Sequence, residues 1–403
     1  MGPRQGRRTM GGRWGRAVVA VAIAALPVVA GDAVPAAAAV VTMPVDGRYL
    51  VGITSQASTR AGGGILDTVV IVQVAAGRVR ILRLGDAAGL VQPTTAPTGL
   101  DPGYYRLFGR RLVSWPDLAM APDGPTVASS WLQAWRATTG QRLDGAADVD
   151  TTALARMLAR SGTPLHTTDG RTLHSAAAIA DELGVGLYRR VPGTDAAARA
   201  QRMREVGPVL RALANQLPRA TDLLRLLAPS IADGHAWLAS ADQARQRALE
   251  ARGQAGWIGA IPPHEVRLRF NNMSGNRADA YLRVRAQVRF TSPDTSVVTV
   301  RLHLEPALAQ DASTVMRMRT DPQASSGPGA VVQTVYSVGL AVHTYTVLVN
   351  GHHIVTHSAW YDGHPTVIVP VNLVVGADVT MTYTMTGHAD IRHLIDGALP
   401  GTP

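Results

Sequence analysis

The chain has no cysteine, which excludes disulfides, zinc–thiolate sites and cysteine nucleophiles. It also has no lysine, so all 39 basic residues are arginine. A phosphate-binding loop of the GxxxxGK[ST] type therefore cannot be built, since its lysine is missing. No GxSxG nucleophile elbow and no HExxH zinc motif occur. Aromatic residues make up 5% of the chain, and no basic run with interleaved aromatics follows the N-terminal segment. Composition therefore does not point to nucleic acid as a partner.

What is present is 403 residues, enough for about two domains of ordinary size. The formal net charge is +10. The N-terminus reads as an export signal. Arg4, Arg7, Arg8, Arg13 and Arg16 form a basic segment without acids, and the apolar run Ala17–Ala30 follows. That run is shorter than the ~20 residues of a comfortable membrane span. Small residues near Ala36 to Ala39 offer a cleavage site, while extension through Gly31 and Asp32 would give an uncleaved anchor. The expectation is a signal peptide and short linker over 1–40, and an exported, envelope-associated protein. Cleavage removes Arg4, Arg7, Arg8, Arg13, Arg16 and Asp32 and leaves the remainder basic, suited to anionic envelope polymers or peripheral contact with lipid headgroups.

Patterning changes twice along the chain. Arg48–Thr54, Ile65–Val74 and Arg78–Leu84 alternate as strands, with the triplet Gly62-Gly63-Gly64 before the second. A proline- and glycine-rich stretch over Val91–Pro125 reads as surface loop. Helical spacing begins at Thr126 and ends at Gly140. Asp150 and Thr151 are natural N-caps for a helix closing at Gly162. Further helices are predicted over Leu173–Leu183, Ala196–Gln216 (broken at Gly207-Pro208), Ala220–Leu227 and Ala241–Arg252. After Pro262-Pro263 eight short segments read as strands, two of them joined by a type I′ signal at Asn350-Gly351. The expected architecture is an α/β region over 41–261 followed by an all-β sandwich over 264–403.

Chemistry is harder to place. The glycine triplet precedes a strand instead of opening a helix, so it is not a dinucleotide fingerprint. A tight turn is the simpler reading. Seven of the twelve histidines lie after Leu340. Across the Asn350-Gly351 turn Leu348 faces His353 and Thr344 faces His357. The two histidines lie about 13 Å apart at ~3.3 Å per residue, too far to share a metal. Asp148 and Asp150 flank a helix start, where capping accounts for them. Asn272-Met273-Ser274 matches a glycosylation sequon, a triplet common by chance.

The order of these signals resembles that of a family. "GRYLVGITSQASTRAGGGILDTVVIVQVAAGRV" is similar to the opening block of a bacterial envelope family known as domain of unknown function 4012, with Arg60, Ala61, Gly63 and Gly64 matching. "WPDLAMAPDGPTVASSWLQAWRATTGQRLDGAADVDTTALARMLARSGTPL", "WLASADQARQRALEARGQAGWIG" and "NNMSGNRADAYL" resemble later blocks, so the likeness runs from Arg48 to about Tyr281. A second, weaker likeness is to the LytR-CpsA-Psr fold, a mixed sheet with helices. Enzymes of that fold transfer glycan polymers from polyprenyl pyrophosphate carriers to peptidoglycan. That resemblance implies a pyrophosphate site at Asp67-Thr68 and Asp86, with Mg²⁺ at Asp67. Ile65 stands where the fold carries an arginine, and "LGDAAG" replaces its Pro-Arg-Asp. Lost arginines remove charge-assisted bonds to phosphate, and Arg60 and Arg83 are the expected substitutes. The implied function is a non-catalytic or degenerate module binding cell-wall glycan or a polyprenyl-pyrophosphate-linked glycan. A phosphotransferase acting on such a lipid and a structural or protein-interaction role remain open beside it.

Overall fold

A computed structural model describes residues 46–110, 114–193, 195–256, 267–292, 295–307, 330–338 and 344–386. The export signal and Pro262-Pro263 lie outside the described residues.

Strands β1 (Gly47–Ser55), β2 (Ile65–Ala75) and β3 (Arg78–Asp86) form an antiparallel meander. The loop expected after β3 holds more structure than its prolines suggest. It contains α1 (Pro102–Phe108) and buries Tyr104, Trp115 and Leu118 completely. Burial of such large side chains turns a surface connection into a wall of the core. Helix α2 (Gly124–Thr139) follows, capped by Asp123 at its start and by left-handed Gly140 at its end. Strand β4 (Gly145–Asp150) pairs in parallel with β1, and Asp150 caps α3 (Thr151–Ser161), which closes at left-handed Gly162.

A short hairpin, β5 (Leu165–His166) and β6 (Thr172–Leu173), leads into α4 (Ala176–Asp181), a π turn over Glu182–Gly186, and α5 (Leu187–Arg190). Helix α6 (Ala196–Gln216) runs without the break expected at Gly207-Pro208. Pro208 and Arg204 lie on its exposed side, where water serves the carbonyl that the proline leaves unbonded. Gly207 is buried and lets the helix approach Leu84 of β3. Helix α7 (Ala220–Ala232), strand β7 (Ala236–Ser240) and α8 (Gln243–Ala251) complete the region. Strand β7 was not legible as a strand. It is five residues long and carries no alternation. The sheet order is β3-β2-β1-β4-β7.

The later region is all antiparallel. Its strands are β8 (Arg267–Asn272), β9 (Leu282–Ser292), β10 (Thr295–Leu304), β11 (Ala330–Val338), β12 (Thr344–Val349), β13 (His352–His353), β14 (His357–Tyr361), β15 (His364–Val374) and β16 (Asp378–Thr386). They form two sheets, β13-β12-β16-β10-β9 and β14-β15-β11-β8. One core joins them, with Val298, Val300 and Leu302 of the first sheet and Val367, Val369 and Val371 of the second. The chain is thus mixed α/β with a later antiparallel β-rich region. His353 faces Leu348 as expected, but His357 pairs with Ile368 in the other sheet. The strand ends at His353 and a new one starts at His357, so the two histidines never share a face. Among the described residues no group of three acids or histidines could hold a metal, and no helix is long and apolar enough to cross a membrane.

The two regions share buried groups. Tyr361 and Ile368 join the core around α2, and Ala57 and Val185 join the core of the β-rich region.

Candidate functional site

Alternation along β1 and β2 gives the first sheet two faces. Leu50, Val69 and Ile71 face α2, and Ile53, Val70 and Val72 face α3, α6 and α7. A bulge sits where β1 pairs with the start of β2. Ile53 is opposite Thr68 and Thr54 is opposite Leu66, so Asp67 is the extra residue. Bulges re-aim side chains. Here the bulge turns both Asp67 and Thr68 into one cleft on the α3–α6 face. Asp86 is the register partner of Thr68 on β3 and enters the same cleft.

The cleft measures about 30 Å³, with Tyr188 of α5 and Arg202 of α6 on its other wall. A second arginine reaches Asp67 from far along the chain. Arg277, between β8 and β9, reaches across from the β-rich region. Its Nη2 donates to both oxygens of Asp67 at 2.7 and 2.6 Å. Nη1 donates to Ser55 Oγ at 2.6 Å and to the Gly184 carbonyl at 3.2 Å. The guanidinium lies 3.3 Å from the centroid of the Tyr188 ring, and that of Arg202 lies 4.6 Å from the same centroid. A cation over a ring face is attracted by the ring's quadrupole. Arg202 Nη1 is committed to the carbonyls of Val191 and Gly193 at 2.8 and 2.9 Å. Its remaining nitrogens bond no described residue. Burial, and then the charge of Asp67, push the Asp86 carboxyl above its usual range, while Gly89 N–H and Arg199 pull it back.

Asp67 and Asp86 are therefore brought together, and Arg60 and Arg83 are not. Arg60 is buried at the junction of the two regions. It donates to the Asn272 carbonyl at 2.7 Å and to Asp117 Oδ1 at 3.0 Å. Arg83 faces the opposite side of the sheet, 5.3 Å from the Trp135 ring, because its register partner is Ile71 and not a cleft residue. Sequence reasoning missed Arg277 because its partner is 210 positions away. The available signal was its place in the block "NNMSGNRADAYL". Mg²⁺ at Asp67 does not fit the residues present. Both carboxylate oxygens already accept from Arg277, whose guanidinium would repel the ion.

The glycine triplet is structural. A Cβ at Gly62 would fall 2.4 Å from Val127 Cγ2, and one at Gly64 would fall 2.6 Å from the Ser55 carbonyl oxygen. Gly63 sits at φ +154°, with Asp148 Oδ2 2.2 Å from the place of a Cβ. Gly62 also accepts a bond from Trp237 Nε1 at 2.9 Å. The turn presses backbone against α2 and β4, leaving no room for a phosphate. The sequon at Asn272 is likewise structural: Asn272 is fully buried, with Nδ2 donating to Asn276 Oδ1 at 3.0 Å.

Beside the cleft, and sharing Ile53 and Leu154 with it, lies a cavity of about 210 Å³. Its walls are aliphatic: Val51, Val70 and Val72 from the sheet, Leu210 and Leu213 from α6, and Leu224 and Leu227 from α7. Arg245 and Ser240 are among its few polar neighbours. At the strand ends Asp150 caps α3 through Oδ1, 2.7 Å from Ala153 N, while Oδ2 lies 2.6 Å from His235 Nδ1. Asp148 does not cap. It is buried, accepts from Thr54 Oγ1 at 3.2 Å, and its carboxyl is pushed up by burial and then by Asp150.

No curated protein matches the chain. Residues 46–183 match the model of a family described as "Protein of unknown function (DUF4012)", a shorter span than the block likeness implied. Strands β1 to β4, helices α1 to α4 and both carboxylates of the cleft fall within that span, so the match to the DUF4012 family model rests on this segment of the chain.

Proposed function

We propose that the chain is an exported envelope module that binds a lipid with a phosphate-type head. The tail lies in the aliphatic cavity and the head meets Arg202 and Arg277 in the cleft. The observation that carries this reading is the shared wall, Ile53 and Leu154, between a mainly aliphatic hollow and a cleft lined by Arg202, Asp67 and Asp86, with Arg277 bonded to Asp67. Lipid pockets combine apolar walls with a few placed polar groups. A polyprenyl-pyrophosphate-linked glycan suits both parts and agrees with the weaker resemblance to the LytR-CpsA-Psr fold.

Binding is favoured over transfer. Arg277 is 2% exposed in its side chain and already neutralised by Asp67, so it is less free to follow charge developing on a reacting phosphate. The convergence of Asp67 and Asp86 supports the phosphotransferase reading as the second one. Product formation from a lipid-linked glycan and a peptidoglycan acceptor would decide for it.

The test is titration with a short polyprenyl pyrophosphate and with the corresponding alcohol, following tryptophan fluorescence. Wild type binds the pyrophosphate more tightly than the alcohol. Arg202→Gln removes a charge-assisted bond worth ~1.5–3 kcal/mol and lowers the pyrophosphate affinity about tenfold or more. Arg245→Gln, at the opposite end of the cavity, leaves it unchanged. Equal binding of both lipids, or loss only with Arg245→Gln, overturns the placement of the head.

A further inference from the structure

The outer face of the sheet β13-β12-β16-β10-β9 carries a row of exposed arginines. Alternation buries Val284, Val298, Val300, Leu302, Met381 and Tyr383 in the core. The residues between them point outward. On β9 these are Arg283, Arg285, Gln287 and Arg289, all exposed. On β10 they include Thr299, Arg301 and His303, and on β16 Thr380, Thr382 and Thr384. The register sets Arg285 directly opposite Arg301, with Thr380 next in the row. The next row is Gln287, Thr299 and Thr382, and the third is Arg289, Val297 and Thr384.

Directly opposed side chains on neighbouring strands lie about 5 Å apart, and like charges there are destabilising. Among the described residues no acidic side chain pairs with either arginine. Arg283 is taken by Glu305 at 2.6 Å, and Asp378 is taken by His303 at 2.5 Å. Arg285, Arg289 and Arg301 have no ion pair with any described residue. Charge on an edge strand is a common guard against pairing with other chains, and it accounts for the arginines of β9. It does not account for Arg301, because β10 is covered by β9 on one side and β16 on the other.

We propose that this face binds a linear phosphate-bearing polyol or sugar chain. Residues two apart on a strand are ~6.8 Å apart, so Arg285 and Arg289 are two cations of one straight row, two such steps apart. Arg301 widens the row to a second strand. Arginine matches phosphate oxygens with paired N–H donors. Thr299, Thr380, Thr382 and Gln287, interleaved with the arginines, offer donors and acceptors to the hydroxyl groups between phosphates. No aromatic side chain lies on the outward positions of these rows, which disfavours a nucleic acid, whose unpaired bases need stacking platforms. Nor do they carry a cluster of exposed apolar anchors of the kind a membrane surface would use. The site stands apart from the lipid cavity and does not depend on it.

The full chain is titrated with fluorescent poly(glycerol phosphate) at several salt concentrations. Parallel titrations use an oligothymidylate of equal charge and vesicles containing phosphatidylglycerol. The polymer binds, and log affinity falls with log salt with a slope of about −2, as for three neutralised phosphates. Arg285→Gln/Arg289→Gln/Arg301→Gln lowers that affinity roughly tenfold or more, from three exposed contacts of modest strength each, and flattens the slope. Arg225→Gln on α7 changes neither. The triple variant melts no lower than wild type, since it loses a repulsion. A markedly lower melting temperature would show that the arginines are structural and would overturn the proposal. So would absent polymer binding, binding unaffected by the triple substitution, or equal or tighter binding of the oligonucleotide or the vesicles.

Discussion

The two faces of the first sheet are made by the same strands and packed to opposite ends. The α2 face holds four of the seven tryptophans. Trp115 and Trp131 are fully buried, and Trp131 stacks on Trp237 with centroids 5.4 Å apart. The α3–α6–α7 face is lined mainly by aliphatic side chains, holds no tryptophan and leaves a hollow of about 210 Å³. Protein interiors are ordinarily packed like organic crystals, because an empty space forfeits contacts. A hollow of that size, lined by valines and leucines while the other side of the same strands is solid, leaves apolar surface uncovered that closer packing would bury. The contrast sets a face that holds the fold beside the face to which the proposed function assigns a ligand.

The contrast can be broken by truncating each face. Trp131→Ala should cost about 4 kcal/mol in urea unfolding, as large aromatic truncations in solid cores do. Val72→Ala, which borders the void already, should cost about 1 kcal/mol or less. Comparable losses would mean that the hollow face is no looser than the solid one.

A second comparison sets the junction against the faces. Arg277→Ala strands Asp67 in the cleft and should cost about 3 kcal/mol, since a partly buried carboxylate loses its partner. Arg277→Met with Asp67→Asn should recover part of that loss. No recovery would show that Arg277 stabilises through Ser55 and Gly184 and not through Asp67.

The junction should also carry a pH signature. Asp123 bonds the Tyr361 hydroxyl, and Asp279 accepts from Thr59 N and Oγ1, each at 2.7 Å. Burial pushes both carboxyls above the ordinary carboxylate range, up to about 6, against the opposing pull of those bonds. A group whose folded pKa is raised binds more protons when folded. Its contribution is complete below about pH 4 and is lost as pH rises through about 6. The stability of wild type relative to Asp123→Asn and Asp279→Asn should therefore fall over that window, by on the order of 2 kcal/mol for each residue. A flat difference would mean that neither carboxyl titrates in the window.

Much of this was legible in the sequence where the interactions are local. Caps at Asp150, Gly140 and Gly162 marked helix ends because capping involves neighbours in the chain. Alternation located most strands, and the glycine triplet read as a turn. The cleft was half legible. Asp67 and Asp86 sit on adjacent strands of one meander, so their convergence follows from a short hairpin. Arg277 enters from the other region, and only the folded chain brings it to Asp67. Arg60 and Arg83 misled because nearness in sequence says nothing about which face of a sheet a side chain takes. The bulge at Asp67 and the register of Arg83 decide that.

The most direct measurement fills the void. Ala147 lies on β4 and Ala214 on α6, both lining the cavity. Ala147→Leu with Ala214→Phe should stabilise the protein by about 1 kcal/mol, as cavity-filling changes commonly do. The same variant should lose binding of a polyprenyl pyrophosphate while keeping Asp67, Asp86, Arg202 and Arg277. A variant that is more stable and no longer binds the lipid is the predicted result. A more stable variant that binds the lipid as wild type does would contradict the assignment of the hollow face to a ligand.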